Sequence, residues 1–448
     1  MQMVTRLTKE LQRVLVDLAS DAAVESGWLR RRRLLRGDTW VQGLVLACMS
    51  NPHVTLDQIA QSIAACGTPV SRQAIDQRFN AAAAKCLELV LARTVERTIT
   101  TRPTTAKLLE RFTEVRIMDS TTVVLPDALA EEWKGCHGRI EAGTQSAIKF
   151  QVGLELRTGR LLGPHAEPGC AADQKSCLQI EPMSRGALEI ADLGYFELDK
   201  FAARSRTSAF WLTRWQPGTK IFQKNVEVKL NDFLAGNKTN TVDVPIELGM
   251  KHRLPCRLIA IRVPAHVAKL RRNRLMKKSR KKARRHKNGK PKRPSPERLA
   301  LCAWNIYLTN VPRKMATPCE VQVLARCRWQ IELLFKQWKS DNTIDESRSA
   351  KPWRFLCEVL AKVIGAVLQH DFLVAGCWHY DDRSIRRAAA IVRPYAAAFA
   401  GILHNEPVAK SLVKQLLIRL EAAPRITKRR RKPSLHQLLK TPNLAKAA

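Results

Sequence analysis

Three acidic side chains stand in sequence contexts that suit the binding of a divalent cation. Asp119 ends the run Val-Arg-Ile-Met-Asp, Asp192 ends the run Leu-Glu-Ile-Ala-Asp, and Glu332 lies within Arg-Trp-Gln-Ile-Glu-Leu-Leu-Phe-Lys. Hard cations such as Mg²⁺ prefer oxygen ligands to those of Cys or His. Two such ions, about 3.5 to 4 Å apart, activate a nucleophile and stabilise the leaving oxygen in phosphodiester chemistry. These residue types therefore indicate metal-dependent chemistry on phosphodiester bonds.

The two aspartates occupy matched positions at the ends of predicted strands. Two apolar residues alternate with each of them along one strand face, Val115 and Ile117 before Asp119, and Leu188 and Ile190 before Asp192. Small or turn-prone residues follow each aspartate, which predicts that both strands end there. Ligands bind at the carboxyl ends of strands in α/β sheets. The alternative for either residue alone is a turn former or a helix cap.

Glu332 lies on a predicted helix over residues 326–340, inside a row of cations. Helical spacing places Arg328, Lys336 and Lys339 on nearly the same stripe as Glu332. Apolar side chains fall on the flanking and opposite faces, as a docked amphipathic helix requires: Ile331, Leu334, Phe335 and Trp338. The alternative is a solvated helix whose ion pairs contribute a few tenths of a kcal/mol each.

The charge balance predicts a polyanionic partner. In 448 residues, 77 Lys and Arg face 40 Asp and Glu, a formal net charge of +37. Nucleic acid is the expected partner, with an acidic membrane surface as the competitor. The most apolar run, which begins at Phe355, is interrupted by four charged or titratable residues and so does not suit a spanning helix. Twelve cysteines without a Cys-x-x-Cys pair are expected to be reduced thiols in the cytoplasm.

The patterns of apolar residues divide the chain into helical ends and an α/β core. We predict a helical, DNA-binding region over residues 1–105, and a catalytic core in two parts, 106–206 and 301–375. Strand patterns crowd between residues 207 and 263 without helical patterns between them, which predicts a β-rich insertion with a basic linker over residues 207–300. A helical, basic region follows over residues 376–448. The fold class is α/β, with a mixed sheet flanked by helices.

Within the N-terminal region, residues 54–80 indicate two short helices around a tight turn. Thr55 and Gln58 fit a capping box, Gly67 suits a helix end, and Ser71 can cap the second helix. A DNA-reading helix-turn-helix and an ordinary helical hairpin both fit this spacing. In the first case, three side chains should face outward: Arg72, Gln73 and Gln77.

A basic segment from Lys269 to Arg293 contains fifteen Lys and Arg residues and no acid. Repulsion between like charges predicts an extended or loosely helical segment until it meets an anion. A contact with the DNA backbone is the functional interpretation, and a solvated linker or localisation signal is the alternative. Without these fifteen charges the chain still carries +22 of its +37.

Taken together, the motifs resemble those of bacterial DDE transposases of insertion-sequence family four. Ile-Met-Asp-Ser-Thr is similar to the motif around the first Asp of that family, and Ala-Asp-Leu-Gly-Tyr-Phe is similar to the second. The third motif is Tyr-x2-Arg-x3-Glu-x6-Lys; Arg328, Glu332 and Lys339 match it, and Ala325 stands at the tyrosine position. The phenolic contact of the family is therefore absent here or supplied elsewhere.

The resemblance implies a ribonuclease H-like catalytic domain and an activity. Asp119, Asp192 and Glu332 would hold two Mg²⁺ ions, for which Mn²⁺ could substitute, and Arg328, Lys336 and Lys339 would contact DNA. The enzyme would bind double-stranded terminal inverted repeats, cleave the ends and join the freed 3′-hydroxyl to target DNA, as a dimer. It would act in the bacterial cytoplasm at the nucleoid, without a membrane partner. Trp211 and Trp215 would stack on a displaced base, or pack in a strand core.

Two other functions remain open on these residues. A decayed or repurposed transposase would bind DNA as a repressor without cleaving it, an interpretation that Ala325 favours and the three intact acids oppose. A ribonuclease H-like nuclease would cleave DNA but yield no joined products.

Overall fold

In the computed structural model, which describes residues 2–31, 34–97, 99–104, 106–136, 145–284, 293–380, 382–426 and 433–442, the chain divides into two units. The first comprises Met1–Ala106, Ile117–Ile180 and Trp329–Arg429. The second comprises Lys107–Arg116, Glu181–Arg328 and Arg430–Ala448.

The N-terminal part of the first unit is helical, as the sequence predicts. Its helices are α1 (Gln2–Gln12), α2 (Leu18–Glu25), α3 (Gly37–Ser50), α4 (Leu56–Ala65), α5 (Arg72–Asp76) and α6 (Ala81–Thr94). A π-helical turn, Arg13–Asp17, joins α1 to α2.

The predicted helix pair forms around α4 and α5. The Thr55 hydroxyl accepts the Gln58 N–H at 3.2 Å, and Gln58 Oε1 accepts the Thr55 N–H at 3.0 Å, which is the expected capping box. Gly67 has a φ of +87°, a conformation that favours glycine, and Ser71 caps α5. The three side chains predicted to face outward are exposed: Arg72, Gln73 and Gln77. The helices are thus confirmed, and the reading of DNA by α5 stays a prediction.

The remaining helices are distributed over both units. They are α7 (Lys107–Glu110), α8 (Cys177–Ile180), α9 (Leu198–Arg206), α10 (Leu230–Ala235), α11 (Ala265–Arg284), α12 (Pro296–Ala300), α13 (Pro318–Cys327), α14 (Trp329–Ser340), α15 (Pro352–Leu373), α16 (Ile385–Phe399), α17 (Glu406–Glu421) and α18 (Leu435–Lys440).

Ten strands make up a mixed sheet, which confirms the predicted α/β class with helical ends. They are β1 (Val115–Val124), β2 (Ala147–Glu155), β3 (Leu161–Pro168), β4 (Leu188–Ile190), β5 (Phe210–Arg214), β6 (Ile221–Gln223), β7 (Val226–Glu227), β8 (Thr241–Leu248), β9 (Leu254–Arg262) and β10 (Trp304–Thr309). The strand order is β3-β2-β1 in the first unit and β4-β5-β10-β9-β8-β6-β7 in the second.

In the second unit, the strands predicted as an insertion extend one continuous sheet. β5 pairs parallel with β4 and antiparallel with β10, and β10 pairs antiparallel with β9. β8 pairs with β9, and β6 pairs with β8. The six-residue helix α10 lies between β7 and β8, so the expectation that no helix interrupts these strands is wrong. Leu230 and Leu234 are buried on one side of this short amphipathic helix.

The longest helix, α15, is the core of the first unit. The segment Pro352–Trp378 is apolar and long enough to cross a membrane, but 94% of its most apolar stretch is buried within the protein. α15 packs against α3, α6 and α16, so its apolar surface is covered by helices of the same unit. Burial among these helices accounts for its composition.

The charged residues that interrupt this apolar helix have partners inside the unit. Glu358 accepts hydrogen bonds from Arg354 Nε at 2.9 Å and from Ser347 Oγ at 2.6 Å. Lys362 Nζ donates to the Glu346 carbonyl at 2.6 Å. Such partners offset the cost of burying a charge, which is large when the charge is unpaired.

His370 and Asp371 are buried in uncharged forms. Burial lowers the pKa of His370 to about 4, and its Nε2 lies 2.7 Å from the Gly159 carbonyl, which only a protonated Nε2 can approach as a donor. Burial raises the pKa of Asp371 to about 8, and its Oδ1 accepts the Ile99 N–H at 3.1 Å.

The basic segment is more ordered than the sequence predicts. Residues 269–284 belong to the twenty-residue helix α11, and residues 285–292 lie outside the described part of the chain. Of the two expected forms, the extended one is therefore wrong up to Arg284 and the helical one holds there. Ala268 is buried at the start of this helix, and the Arg271 guanidinium donates to the Trp304 carbonyl at 3.1 Å, so packing against the sheet fixes its first turns.

Trp211 is a core residue, so of its two interpretations packing in a strand core is confirmed and stacking on a displaced base is wrong. Its side chain is 0% exposed, and its ring stacks on Phe201 with centroids 4.6 Å apart. Its Nε1 donates to Ser205 Oγ at 3.0 Å. β5 is a central strand of the second unit, so a side chain on its covered face cannot reach a nucleic acid base. Trp215 is half-buried just beyond β5, and its base contact stays a prediction.

Asp371→Asn should change how stability depends on pH. The folded-state pKa of about 8 exceeds the ordinary value of 3.8, so the folded chain holds a proton that the unfolded chain loses as pH rises between these values. Wild-type stability should therefore fall relative to the variant from pH 5 to pH 8, on the order of 1 to 3 kcal/mol. Denaturant unfolding at each pH measures the difference, and parallel curves would contradict it.

Trp211→Ala should reduce the free energy of unfolding by about 3 to 5 kcal/mol, because it leaves a cavity in the core. The matched control is Trp329→Ala, since that side chain is 58% exposed and should cost less than about 1 kcal/mol. Equal losses in chemical denaturation would argue against the core role of Trp211.

Candidate active site

Asp119 lies in the middle of β1, although the residues after it predicted that the strand would end there. β1 continues for five residues beyond it, because the following Thr-Thr-Val-Val run consists of β-branched residues that favour extended backbone. The expected turn at Ser-Thr-Thr is therefore wrong. Asp119 is half-buried, between the buried residues Ile117 and Thr121 on its strand face. Its Oδ1 accepts the Ser120 N–H at 2.8 Å.

Asp192 stands at the carboxyl end of β4, as predicted. Leu188 and Ile190 are buried and anchor this short strand. Asp192 occupies the cap position of the 3₁₀ turn Leu193–Tyr195, but its carboxylate makes no capping hydrogen bond. Oδ1 lies 3.3 Å from Arg214 Nη2 and 3.7 Å from Arg328 Nε. The carboxylate is thus paired with cations, which argues against the capping alternative.

Glu332 lies in the first turn of α14 and is half-buried. The predicted single helix over residues 326–340 is divided, because α13 ends at Cys327 and α14 begins at Trp329. Arg328 therefore precedes α14, and only Lys336 and Lys339 share the helix with Glu332. The predicted apolar face is confirmed, since four side chains of α14 are buried: Ile331, Leu334, Phe335 and Trp338.

A hydrogen bond connects the helix of Glu332 to the strand of Asp119 within the first unit. Lys339 Nζ donates to the Thr122 carbonyl at 2.9 Å, and it lies 3.9 Å from Asp345 Oδ2. Lys336, by contrast, is exposed. Of the predicted DNA contacts on α14, one is thus engaged with β1 and the other faces solvent.

Asp173 is a further carboxylate, bound to the residue that follows Asp119, and no motif in the sequence indicated it. Its Oδ1 accepts hydrogen bonds from Ser120 Oγ at 3.0 Å, Gln151 Nε2 at 3.0 Å and Lys149 Nζ at 3.2 Å. The available signal was the presence of polar residues in the apolar strand β2, whose every residue is buried; two of them, Lys149 and Gln151, bind Asp173. This network satisfies both polar side chains and fixes the backbone of Ser120, the residue after Asp119.

The predicted metal ligands belong to different parts of the fold. Asp119 and Glu332 lie in the first unit, and Asp192 lies in the second. In the part of the chain that the structure describes, no group of three or more His, Cys, Asp or Glu side chains is placed to hold a metal ion. The donor chemistry nevertheless suits Mg²⁺, because all three candidates are half-buried carboxylates.

Asp192→Asn should leave the free energy of unfolding within about 1 kcal/mol of wild type. Its carboxylate caps no helix, and partly exposed ion pairs contribute little. Thr317→Ala, which removes a capping box at the start of α13, should cost about 1 kcal/mol or more and provides the comparison. Chemical denaturation measures both, and a larger loss for Asp192→Asn would restore the structural interpretation.

Comparison with known proteins identifies the family of the chain. A family described as "Transposase DDE domain" matches residues 110–368, a segment that contains all three predicted carboxylates. The transposase for insertion sequence element IS231F of Bacillus thuringiensis subsp. israelensis is 26% identical over 388 residues, which cover 80% of this chain and 78% of the relative. The transposase for IS1151 of Clostridium perfringens is 26% identical over 330 residues, 66% of this chain and 65% of the relative. The resemblance drawn from the motifs is confirmed: the chain belongs to the DDE transposases of insertion sequences.

Proposed function

We propose that this transposase cleaves the ends of its insertion sequence and joins the 3′-hydroxyl to target DNA, with Asp119, Asp192 and Glu332 as ligands of two Mg²⁺ ions. The observation that carries the proposal is the family match over residues 110–368, which includes the three carboxylates. When bound, the two ions would activate the nucleophile and stabilise the leaving oxygen. Mn²⁺, with the same preference for oxygen ligands, is expected to substitute.

Contacts with neighbouring residues hold the candidate carboxylates in position for this role. Asp119 and Glu332 are carried by elements that the Lys339–Thr122 hydrogen bond connects, so that their backbones are fixed relative to each other. Asp192 is neutralised by Arg214 and Arg328. When Asp192 turns to a cation, both guanidinium groups become available to the DNA phosphate, for which arginine has a suitable bidentate geometry. The pairing thus couples ligand binding by Asp192 to phosphate binding by its partners.

The charge of the chain supports double-stranded DNA as the substrate. A net charge of +37 favours association with the phosphate backbone of DNA, whatever its base sequence. Arg328, Lys336 and Lys339 are the proposed contacts near the cleaved end, and the α4–α5 pair is the proposed reader of the inverted repeats. Synapsis of two ends would require a dimer. All twelve cysteines are free thiols, in keeping with the proposed bacterial cytoplasm and nucleoid.

Neutralising any one of the three carboxylates should abolish metal-dependent end cleavage. Asp119→Asn, Asp192→Asn and Glu332→Gln should each lower the cleavage rate at least ~100-fold, the scale of losing one group that stabilises charge in a transition state. Binding of duplex ends should stay within about twofold of wild type. Gel analysis of plasmid cleavage in Mg²⁺ and a DNA-binding isotherm provide the two measurements.

The matched control is Asp199→Asn, because that carboxylate is 70% exposed and lies in the same unit as Asp192; it should cleave like wild type. In the absence of DNA, Mn²⁺ should raise the melting temperature of wild type and of this control more than that of the three variants. Cleavage that survives all three changes would refute the assignment. A wild-type protein that binds ends but never cleaves them would support the repressor, and cleavage without joined products would support the nuclease.

A further inference from the structure

A cavity of about 850 Å³ lies within the second unit, and none of the three carboxylates lines it. Its walls come from the start of β8, the end of β9, the first turns of α11, β10 and α13 from its first turn to its last. A cavity of this size is within the range of small-molecule sites. The volume therefore leaves room for a single nucleotide.

The charged side chains that line the cavity are arginines. Among the described residues of its wall there are three, Arg262, Arg271 and Arg326, and no Asp or Glu. Amide side chains such as Asn240, Asn305 and Gln322 supply further polar groups. The lining is thus positive and can donate many hydrogen bonds, which is the composition that a phosphate group requires.

The three arginines are not neutralised by carboxylates within the described part of the chain. The Arg262 guanidinium lies 4.5 Å from the centroid of the Trp304 ring. Arg271 donates to the Trp304 carbonyl at 3.1 Å and to Asn305 Oδ1 at 2.7 Å, both uncharged acceptors. The backbone of Arg326 belongs to α13, where its carbonyl accepts the Arg328 N–H, but its guanidinium makes no ion pair or hydrogen bond with the described residues. Their positive charge is therefore available to an anion.

The surroundings of Tyr307 show how closely these charges gather. Burial raises the pKa of Tyr307, and the charges of Arg214, Arg326 and Arg271 oppose that effect. Partial burial also lowers the pKa of Arg271, which is expected where no carboxylate stabilises the guanidinium. Tyr307 stands opposite Arg214 in the β5–β10 register, and Arg214 pairs with Asp192. The positive cluster therefore continues from the cavity to a candidate catalytic carboxylate of the same unit.

We propose that this cavity binds the phosphate group of a single nucleotide, carried by the end of a DNA strand. Arg271 and Arg326 would donate to its oxygens, and Arg262 would contribute charge at the rim. Apolar wall residues, among them Val263, Pro264 and Pro318, would face the sugar or base. The DNA source rests on the proposed function, and a free nucleotide offers the same chemistry from another source.

The test measures binding of two probes by isothermal titration at fixed salt. Thymidine 5′-monophosphate represents the free nucleotide, and a short single-stranded oligonucleotide with a 5′-phosphate represents the strand end. Arg326→Gln should weaken both about tenfold through the loss of charge-assisted hydrogen bonds. It is the primary variant because the Arg326 guanidinium makes no hydrogen bond or ion pair with the described residues that the substitution would remove. Arg271→Gln should act in the same direction, although it also removes hydrogen bonds to β10.

The matched control is Arg185→Gln, an exposed position of the second unit that removes the same charge outside both the cavity and the basic segment; it should change either affinity by less than about twofold. Circular dichroism and melting temperature confirm that each variant is folded. Weakening of both probes supports the pocket, and weakening of the mononucleotide alone assigns it to free nucleotides and overturns the strand end as its ligand. Equal effects of Arg326→Gln and Arg185→Gln would overturn the proposal.

The outcome is separable from that of the proposed function. If wild type cleaves transposon ends while Arg326→Gln binds both probes like the control, only the pocket is wrong. If wild type binds the mononucleotide through Arg326 but cleaves no DNA, the pocket stands as a nucleotide site and the catalytic proposal is wrong.

Discussion

The placement of acidic groups in a strongly positive chain is the electrostatic constraint on which the structure depends. With 77 basic and 40 acidic residues, cations outnumber carboxylates almost two to one. Asp192 lies between two arginines, Asp173 beside Lys149, and Asp243 within 2.9 Å of Arg257. Each of these carboxylates has a basic partner, and the excess of basic groups attracts phosphate. The same imbalance thus gives the acids cationic partners and favours association with the polyanion on which they are proposed to act.

Much of the fold could be predicted because the apolar periodicity is strong. Every predicted strand forms, and α14 buries the face that its spacing indicates. One failure lies in the local pattern itself, because β-branched residues extend β1 past Asp119, where turn-prone residues predicted an end. A second is the break between α13 and α14 at Arg328, which the apolar spacing does not mark. The basic segment is helical through Arg284 because packing of its first turns adds stability that charge patterning does not describe.

The candidate site could be predicted as a set of residues, but not as a set of contacts. Period-two spacing pointed to the two aspartates and helical spacing to Glu332, since both follow from local geometry. The partners of Asp192 come from β5 and from the residue before α14, far away in sequence. Trp211 illustrates the same limit, because a tryptophan in a strand suits either a base contact or a protein core. Its burial against the Phe201 ring, which shows that it belongs to the core, is visible only in the structure. The arginine-lined cavity is built from five elements of secondary structure, so no single stretch of sequence predicts it.

The helical state of α11 has a consequence for ionic strength. Ten of its twenty residues are Lys or Arg and none is acidic, so side chains one turn apart repel each other. Added salt screens that repulsion and favours the helix, while it weakens attachment to a polyanion by reducing the gain from counterion release. Rising ionic strength is therefore expected to act in opposite senses: it should stabilise the α11 helix itself and weaken any contact of its basic side chains with nucleic acid.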